Sequence, residues 1–439
     1  MDYQFAFSSS PPHLTVTQLP SATESWHTFI VTFTLLMNHL HGRVLGATFG
    51  TQKYYGMKYK NEFPLREDRI YLNHAANAPW PKRTLAAIEQ LSQKMYMGDI
   101  RYKDWMQTEK NLRHQFQRLI NAPSSEDIAL LKNTSEGLSV IAHGLNWQTN
   151  DNIVITDQEF PFNHIVWQSL KSQGVSLREA EISKSTLSEE PPEAIIERIC
   201  DENTRLIAVS SVQYGTGLRL DLKRIGAFCR QQGILFCVDA IQSLGAFPMD
   251  VQTVQADFVA ADGHKWMLGP EGVAVFYCRR ELRDQLRLHQ YGWHMVENHL
   301  DFNRKSWNIA NSGRRFECGS LNTLGIYGLS ASLSLLLEIG IEEIAKGILQ
   351  NTLYLLQIIN DNKKLSLVSP AICLTHPDRR SGIVTFHAPN RELEKFFREL
   401  IASGIICAVR GSGIRFSPHF YTPIQQLEKV MQQVARLSS

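Results

Sequence analysis

The stretch that decides the fold is Ile234-Leu-Phe-Cys-Val-Asp239-Ala-Ile-Gln242, and a second stretch, Asp257-Phe-Val-Ala-Ala-Asp-Gly-His264-Lys265-Trp266, follows it. Each is an apolar run that ends in polar residues, which is typical of a buried strand emerging at the edge of a sheet. Asp239 closes the first run, and His264 and Lys265 close the second. Because ligands on parallel sheets bind at the carboxyl ends of the strands, we expect these side chains to border one site.

A lysine and a carboxylate at two strand ends suit one kind of cofactor chemistry. Burial disfavours the charged ammonium, so the pKa of Lys265 should fall and its amine should become nucleophilic toward an aldehyde. Asp239 suits the protonated nitrogen of a pyridine ring, which keeps the ring an electron sink. The pair therefore predicts pyridoxal 5'-phosphate, with Lys265 as the catalytic residue that carries the Schiff base. The alternatives are a surface lysine and an aspartate that caps a helix beginning at Ala240.

Length and composition leave room for two or three domains and argue against several kinds of partner. The chain has 439 residues, of which 43% are hydrophobic, and its formal net charge is +2. So small a charge gives no electrostatic argument for nucleic acid or a membrane surface as a partner. The seven cysteines form no CxxC pair, which favours reduced, buried thiols in a cytoplasmic protein over disulfides or a zinc site. No metal is expected.

The first 56 residues differ from the rest of the chain. Residues 8–12 are turn-like or disordered, and residues 29–37 form an apolar run. That run is much shorter than the ~20 residues that a membrane-spanning helix needs. No basic cluster precedes it, so a signal peptide is not expected. We interpret residues 1–56 as a peripheral extension, with Met57 as a candidate start.

From about residue 126, short apolar runs alternate with longer amphipathic stretches. This alternation predicts a mostly parallel sheet covered by helices on both faces, followed from about residue 321 by a smaller α+β domain. The predicted strands are 128–131, 152–156, 206–210, 234–238, 258–260 and 272–277 in the first part, and 365–374, 381–387 and 413–417 in the second. The predicted helices include 187–200, 222–232, 391–403 and 423–437, with one or two long helices over 321–350.

A polar segment at Lys132–Gly137 follows a predicted strand and opens a helical pattern. Hydroxyl groups and free backbone amides at a helix N-terminus form an anion site. Thr134 and Ser135 are therefore expected to hold the cofactor phosphate. The ordinary alternative is that one of them caps the helix, with Glu136 supporting the first turn.

Six motifs, in this order, resemble the class-V aminotransferase family of fold-type-I pyridoxal-phosphate enzymes. The family includes cysteine desulfurases, selenocysteine lyases, kynureninases and isopenicillin N epimerase-like proteins. The resemblance covers residues 66–421, and its motifs are 71–76, 133–137, 159–163, 238–242, 262–265 and 316–322. It implies an α/β fold with a mostly parallel sheet of about seven strands flanked by helices. The implied divisions are a joining segment at 57–75, a large cofactor-binding domain at 76–320 and a small C-terminal α+β domain at 321–439.

The resemblance also implies a role for each matching residue. Asp239 would pair with the ring nitrogen, and Gln242 would contact the phenolic oxygen. Phe160 lies where the family places an aromatic ring or a histidine over the cofactor, although Phe162 competes for that place. Ser320 would reach the phosphate of the neighbouring subunit, which implies a homodimer with shared active sites. The residues implied to bind the cofactor are Thr134, Ser135, Phe160, Asp239, Gln242, His264, Lys265 and Ser320.

On the substrate side, Arg410 matches the family arginine that grips an amino-acid carboxylate. A guanidinium does this well through two parallel hydrogen bonds. Arg415 is the alternative, and Asn73 is a second candidate for substrate binding. Asp262 stands where desulfurases often carry a serine near the phosphate, so we expect its repelled carboxylate to point elsewhere or to bind through water. Cys407 lacks the setting of a persulfide-forming loop, and a strand thiol is more often a small buried apolar group.

These motifs imply an enzyme that removes the α-proton of an amino acid, with Lys265 as the general base. The outcome is left open among a lyase, an epimerase and a transaminase. The alternative is sulfur transfer of the cysteine desulfurase or selenocysteine lyase type. A non-catalytic binding module is disfavoured because Lys265, Asp239 and the arginines are all present. A dinucleotide enzyme would need a Gly-x-Gly-x-x-Gly turn after its first strand, and no such turn is seen.

Overall fold

The computed structural model describes residues 59–99, 101–185 and 190–438. The extension predicted over residues 1–56, with the candidate start at Met57, lies outside the described residues. The strands in the described part are β1 (Ile70–Tyr71), β2 (Ile128–Leu131), β3 (Asn152–Thr156), β4 (Ser176–Ala180), β5 (Thr204–Ser210), β6 (Leu235–Asp239), β7 (Phe258–Asp262), β8 (Ala274–Cys278), β9 (Ser366–Leu367), β10 (Val384–His387), β11 (Ile405–Ile406), β12 (Ala408–Arg410) and β13 (Gly413–Phe416).

Helices cover the sheet and follow the strands along the chain. The α-helices in the described part are α1 (Lys82–Met97), α2 (Tyr102–Ile120), α3 (Thr134–Gly144), α4 (Phe162–Gln168), α5 (Pro192–Arg198), α6 (Leu222–Gln232), α7 (Val251–Val254), α8 (Thr323–Ile339), α9 (Ile341–Asp361), α10 (Ile372–Thr375), α11 (Leu393–Ala402) and α12 (Ile424–Leu437).

Seven strands form the central sheet in the order β2-β8-β7-β6-β5-β3-β4. Strand β8 is antiparallel to both of its neighbours, whereas the other neighbouring pairs are parallel. The prediction of a mostly parallel sheet of about seven strands is therefore confirmed. Every residue of β2, β3, β7 and β8 is buried, which is why these strands read as unbroken apolar runs.

The register of the sheet brings the polar strand ends together. Ser210 at the end of β5 pairs with Asp239 at the end of β6. Asp239 in turn pairs with Ala260, two residues before the end of β7. The parallel strands β5, β6 and β7 therefore reach one edge at nearly the same level, and the segment that carries Lys265 leaves the sheet there.

The C-terminal part contains a four-stranded antiparallel sheet in the order β12-β13-β10-β9. A separate parallel pair joins β1 to β11, and a bridge joins Asn73 to Ser417. The first described residues therefore contact the C-terminal strands. The division of the chain at residues 57, 76 and 321 stays a prediction.

The long helical pattern predicted over residues 321–350 forms two helices, α8 and α9. They meet at Gly340, whose φ of 92° lies in the left-handed region that glycine tolerates best. Their axes differ by 84°. No single helix in the described part is long and apolar enough to cross a bilayer, and this bent pair passes that test by length and composition only.

Two differences from the predicted elements have a local cause. The strand predicted over residues 365–374 is limited to β9, and residues 372–375 form the short helix α10. Pro370 lies between them, and a proline cannot donate to a strand ladder. Strand β4 was not predicted, because its sequence Ser-Leu-Arg-Glu-Ala is half exposed at the sheet edge and lacks an apolar run.

Candidate active site

Lys265 follows β7 in a closed turn at the carboxyl edge of the sheet. The backbone N–H of Leu268 donates to the carbonyl of Lys265 at 3.0 Å, and that of Gly269 donates to the carbonyl of Gly263 at 2.9 Å. Leu268 has a φ of 60°, a conformation that a branched side chain seldom adopts. The turn is thus held in a costly geometry, and it fixes the direction in which Lys265 leaves the backbone.

The environment of Lys265 favours its neutral amine. Burial lowers the pKa of Lys265, and the negative charge of Asp239 opposes that shift. The positive charge of Arg415 adds to the lowering. The lysine Nζ lies 6.0 Å from the centroid of the Phe160 ring. The direction of the pKa shift is the one that the strand-end position predicted.

Asp239 is almost fully buried, and only one of its carboxylate oxygens is used by the chain. Oδ1 accepts a hydrogen bond from the N–H of Ile241 at 3.0 Å. Oδ2 has no partner among the described residues, because the nearby hydroxyl of Ser210 donates to Glu159 instead. Burial raises the pKa of Asp239. A buried oxygen without a donor is costly, so Oδ2 fits a ligand N–H. The residues after Ala240 form a turn and not an α-helix, so the alternative that Asp239 caps a helix there is wrong.

The side-chain amide of Gln242 is held by two contacts within the chain. Its Nε2 donates to the carbonyl of Ala75 at 3.0 Å, and its Oε1 accepts from Trp266 Nε1 at 2.9 Å. One amide N–H of Gln242 is left over after these contacts, because the amide carries two hydrogens. The predicted contact with a phenolic oxygen depends on that remaining N–H.

The N-terminus of helix α3 is capped by Asn133, so the alternative that Thr134 or Ser135 caps this helix is wrong. Asn133 Oδ1 accepts from the N–H of Glu136 at 2.9 Å. The backbone amides of Thr134 and Ser135 belong to the first turn, which has no intrahelical acceptors. Thr134 is buried and its Oγ1 accepts from the N–H of Asp262 at 3.0 Å, whereas Ser135 is exposed. The first-turn amides and the Thr134 hydroxyl therefore lie beside the end of β7, and their use in binding an anion stays a prediction.

Asp262 and His264 face each other on the way to Lys265. Asp262 Oδ1 lies 3.1 Å from His264 Nδ1, but the two atoms are not aligned for a hydrogen bond. The carboxylate of Asp262 is thus directed toward an imidazole. The backbone carbonyl of His264 accepts from the N–H of Ala78 at 2.9 Å, which ties the lysine turn to the Asn73–Asn77 segment.

The two candidate arginines differ sharply in their environments. Arg415 is 1% exposed, and its Nη1 donates to the carbonyl of Tyr214 at 2.9 Å. Its Nε and Nη2 have no partner in the described part of the chain. Burial lowers the pKa of Arg415 to about 9, with the charge of Arg410 contributing. Arg410 is half-buried, and its Nη1 donates to the carbonyl of the adjacent Val409 at 2.8 Å.

Further unsatisfied polar atoms lie on the segments expected to decide specificity. Asn73 Oδ1 and Gln213 Oε1 are buried and have no hydrogen-bond partner among the described residues. The ring of Tyr214 packs edge-on against Phe160, with the centroids 5.0 Å apart. The ring of Phe162 lies 5.3 Å from that of Phe160. Phe160, and not Phe162, is the ring near Lys265 Nζ.

A buried network that the sequence did not single out lies behind Lys265. His74 Nδ1 contacts the carbonyl of Ser417 at 2.8 Å, so Nδ1 carries the hydrogen and Nε2 accepts from the hydroxyl of Tyr421 at 2.6 Å. His419 Nδ1 accepts from the N–H of Phe420, so its Nε2–H faces the carbonyl of Trp266 at 3.4 Å. Burial lowers the pKa of both imidazoles, that of His74 to about 4. We name this group, with Gln242, the neutral network; only the position of His74 inside the 71–76 motif hinted at it.

Ser320 lies in the loop between Phe316 and α8, and it is exposed. Beneath that loop, Glu317 is fully buried and receives a bidentate pair from Arg113 at 2.5 and 2.8 Å. The N–H of Leu130 also donates to Glu317 at 2.7 Å. His294 Nδ1 lies 3.2 Å from Glu317, and its Nε2 lies 3.6 Å from Glu109. We name these four side chains, Arg113, Glu317, His294 and Glu109, the charged network.

Within the described residues, neither the cysteines nor any cluster of possible metal ligands forms a second reactive or metal-binding site. All seven cysteines are free thiols. Cys407 is buried in the core, and burial raises its pKa to about 12. No group of three or more His, Cys, Asp or Glu side chains among the described residues is placed to hold a metal ion.

Known proteins resemble this chain in sequence over most of its length. The family model described as "Aminotransferase class-V" matches residues 70–438. A probable cysteine desulfurase from Methanothermobacter thermautotrophicus is 29% identical over 401 residues, covering 86% of this chain and 97% of that protein. The uncharacterized aminotransferase YcbU from Bacillus subtilis is 27% identical over 384 residues, with coverage of 86% and 97%.

Solved structures share the fold. The apo cysteine desulfurase from Thermococcus onnurineus superposes with a TM-score of 0.78 at 23% identity, covering 87% of this chain and 98% of that one. The cystine C-S lyase C-DES, in complex with its product cysteine persulfide, gives the same TM-score and identity, with coverage of 86% and 99%. These likenesses confirm the predicted fold type I architecture.

Proposed function

The chain belongs to the class-V aminotransferase family, and from this premise we propose that it removes the α-proton of an amino acid with Lys265 as the base. The chain is an enzyme that depends on pyridoxal 5'-phosphate. The observation that carries the proposal is the meeting, at one sheet edge, of a lysine with a lowered pKa and a buried carboxylate with an unused oxygen.

The residues present fit the cofactor. Asp239 Oδ2 has no donor within the described residues, and a protonated ring nitrogen would supply one. The first-turn amides of α3, with Thr134 and Ser135, would hold the phosphate, and His264 lies beside them. Phe160 would cover the ring, since it is the aromatic side chain near Lys265 Nζ. When bound, the cofactor supplies a sink for the negative charge left on the α-carbon.

We assign the substrate carboxylate to Arg415 in preference to Arg410. Arg415 offers two unused N–H groups from a buried guanidinium, and a carboxylate would satisfy both by a bidentate contact. Arg410 is half-buried, donates to its own neighbour Val409 and adds positive charge nearby. Asn73, with its unsatisfied buried oxygen, suits an N–H of the same substrate.

Lys265 moves the proton in this scheme. Its lowered pKa means that more of the amine is neutral near pH 7 than an exposed lysine would allow, so it can accept the α-proton. Its nearest charged neighbours have opposite effects: Asp239 raises this pKa, and Arg415 lowers it. The closed turn over 265–268 keeps the amine aimed at one place.

Among the possible outcomes, we favour cleavage of a C–S bond in a cysteine-type amino acid. Relatives carry the names of cysteine desulfurases and a cystine C-S lyase. Cys407 is 4% exposed, and burial raises its pKa to about 12, so a persulfide on this thiol is disfavoured. Elimination that releases the sulfur compound directly fits better than transfer through Cys407. Transamination and epimerisation start from the same proton removal.

We also propose a homodimer with shared active sites. Ser320 is exposed, and a hydroxyl there is available to a neighbouring subunit. Large aromatic side chains in the preceding segment over residues 291–307 are exposed as well, namely Tyr291, Phe302 and Trp307. Burial of such side chains commonly stabilises an interface. A cytoplasmic location stays a prediction.

The test is a panel of amino acids, including cysteine and cystine, scored together for pyruvate, ammonia, sulfide and racemisation. Pyruvate with ammonia and a sulfur product would support elimination. The Lys265→Ala variant should lose both turnover and the visible absorbance of the loaded protein, and full activity in this variant would refute the proposal. For the carboxylate, Arg415→Gln should raise KM at least tenfold, whereas Arg410→Gln should raise it less; the reverse order would overturn the assignment.

A further inference from the structure

We propose that Trp266 is a positioning residue that fixes the amide of Gln242, so that this amide presents an N–H, and not its oxygen, to the phenolic oxygen of the cofactor. The inference rests on the proposed function, because it concerns how the chain treats that cofactor. It adds a role for Trp266, the residue directly after Lys265.

The orientation of the amide follows from its two contacts. An indole N–H can only donate and a backbone carbonyl can only accept. In the observed orientation, Gln242 Oε1 meets the N–H of Trp266 at 2.9 Å and Nε2 meets the carbonyl of Ala75 at 3.0 Å. Rotating the amide by half a turn would set N–H against N–H and oxygen against oxygen. Trp266 and Ala75 together therefore select one of the two orientations.

Trp266 is itself unable to move aside. Its side chain is fully buried. A Cβ atom on Gly382 would lie 2.1 Å from its Cη2, so the absence of a side chain there makes room for the indole. At the other end, a Cβ on Gly245 would lie 2.3 Å from the Trp266 carbonyl, and the His419 ring packs 5.5 Å from the indole. The donor is thus held in place by close packing on several sides.

The contact also couples two strand ends. Gln242 lies three residues after Asp239, which closes β6, and Trp266 lies one residue after Lys265, beyond β7. The hydrogen bond between them joins the group that would face the phenolic oxygen to the turn that carries the lysine. An N–H beside that oxygen stabilises its negative charge, whereas an amide oxygen there would destabilise it.

The consequence is a shift in the titration of the loaded enzyme. With the cofactor bound, the phenolic oxygen would carry its full charge once the proton near the lysine nitrogen is lost, and the N–H of Gln242 would favour that form. Loss of the donor should raise the pH midpoint of the visible absorbance change. Loss of one neutral hydrogen bond corresponds to about 0.5–1 pH unit.

The experiment is an absorbance titration of the holoenzyme of wild type, Trp266→Phe, Gln242→Ala and the double variant. Trp266→Phe removes the indole N–H but keeps an aromatic ring, and it should raise the midpoint by up to about 0.5 unit, because the carbonyl of Ala75 still favours the same amide orientation. Gln242→Ala removes the donor itself and should raise the midpoint by about 0.5–1 unit. The double variant should rise no further than Gln242→Ala, because Trp266 acts through Gln242.

Trp147→Phe is the matched control. Trp147 is also buried, and its indole N–H donates to a backbone carbonyl, that of Ala142, at 2.6 Å. Its loss should leave the midpoint unchanged, which separates the proposed effect from the general loss of a buried indole.

Two results would overturn the inference: a wild-type midpoint in Trp266→Phe, or shifts that add in the double variant. If Trp266→Phe does not fold, Gln242→Glu tests the same point, because it places an oxygen where the N–H lies and should raise the midpoint; an unchanged midpoint would count against the proposal. A wild-type protein that shows no visible band with added cofactor would instead refute the proposed function.

Discussion

Two buried polar networks lie in the described part of the chain, and they satisfy buried polar atoms in different ways. In the neutral network behind Lys265, His74, Tyr421 and His419 pair donors with acceptors and carry no charge. In the charged network beneath the Ser320 loop, Arg113 and His294 surround the carboxylate of Glu317. One network depends on which atom holds each hydrogen, and the other depends on balancing opposite charges.

The difference predicts opposite responses to pH. A proton added to His74 Nε2 would turn the hydroxyl of Tyr421 from donor to acceptor and would place a positive charge in a site where burial lowers the pKa of the imidazole. A proton on His294 lies between two carboxylates: burial lowers the pKa of this imidazole, but the nearby carboxylates of Glu109 and Glu317 outweigh burial and raise the pKa. Acid should therefore destabilise the first region and favour the second.

The largest expected effect comes from breaking the charged network at its centre. Glu317→Ala leaves the guanidinium of Arg113 buried without its carboxylate and removes the acceptor of the Leu130 N–H. Removing one partner of a buried ion pair costs about 3–5 kcal/mol of the free energy of unfolding. Urea unfolding monitored by fluorescence measures this loss.

The control for that loss is an ion pair at the surface. Glu281 lies 3.5 Å from Arg279 and its side chain is 65% exposed. Glu281→Ala should change the free energy of unfolding by less than about 1 kcal/mol. Equal losses in the two variants would show that Glu317 is not the centre of a cooperative network.

The second effect is the pH dependence that His74 gives to the neutral network. Its pKa is about 4 in the folded protein and about 6.5 in an unfolded chain. As the pH falls below 6.5 the unfolded chain binds the proton first, so stability is lost from there down to about pH 4. The total loss is about 3 kcal/mol.

His74→Gln isolates this contribution. The variant should be less stable than wild type at pH 7, because it loses the paired imidazole. The difference between the two should shrink by up to about 3 kcal/mol between pH 6.5 and pH 4, since only wild type pays the protonation cost of His74. A difference that stays constant over this range would contradict the assignment of a neutral, buried imidazole.

The two networks also show how far the sequence leads. The strand ends at Asp239 and Lys265 were predictable, because apolar runs that stop at polar residues mark buried parallel strands. At the helix start, the alternative of a cap at Thr134 or Ser135 was wrong, because the cap is Asn133, while the anion-binding role expected of Thr134 and Ser135 stays a prediction. Sequence alone does not distinguish which of three adjacent polar residues adopts the extended backbone of a cap.

The two networks themselves could not be predicted from the sequence. Tyr421 and His419 lie more than 340 residues from His74, and the pairing of β1 with β11 and the bridge between Asn73 and Ser417 bring them together. Local patterns carry no information about such long-range contacts. The choice between Arg410 and Arg415 was equally hidden, because the two lie on adjacent strands of one hairpin and only burial separates them. The roles of both arginines stay predictions.

The smallest expected effect concerns His294 and runs in the opposite direction to that of His74. Glu109 and Glu317 face its imidazole, and the ring of His299 lies 5.1 Å from it. Burial and the charges of Arg314 and His294 lower the pKa of His299 to about 4, so His299 adds no charge near neutral pH. Because its pKa in the folded protein is raised, its stabilising contribution is fully present below pH 6.5 and is lost as the pH rises through that raised value.

His294→Gln should therefore cost about 1.5 kcal/mol at pH 6, as is typical of a hydrogen bond to a charged group, and less at pH 9. Unfolding measured for His74→Gln and His294→Gln over one pH series makes the comparison direct. The difference from wild type should grow with pH for His74 and shrink with pH for His294. Slopes of the same sign would show that the two networks do not differ in charge, because a histidine held neutral and a histidine held between carboxylates cannot respond to protons alike.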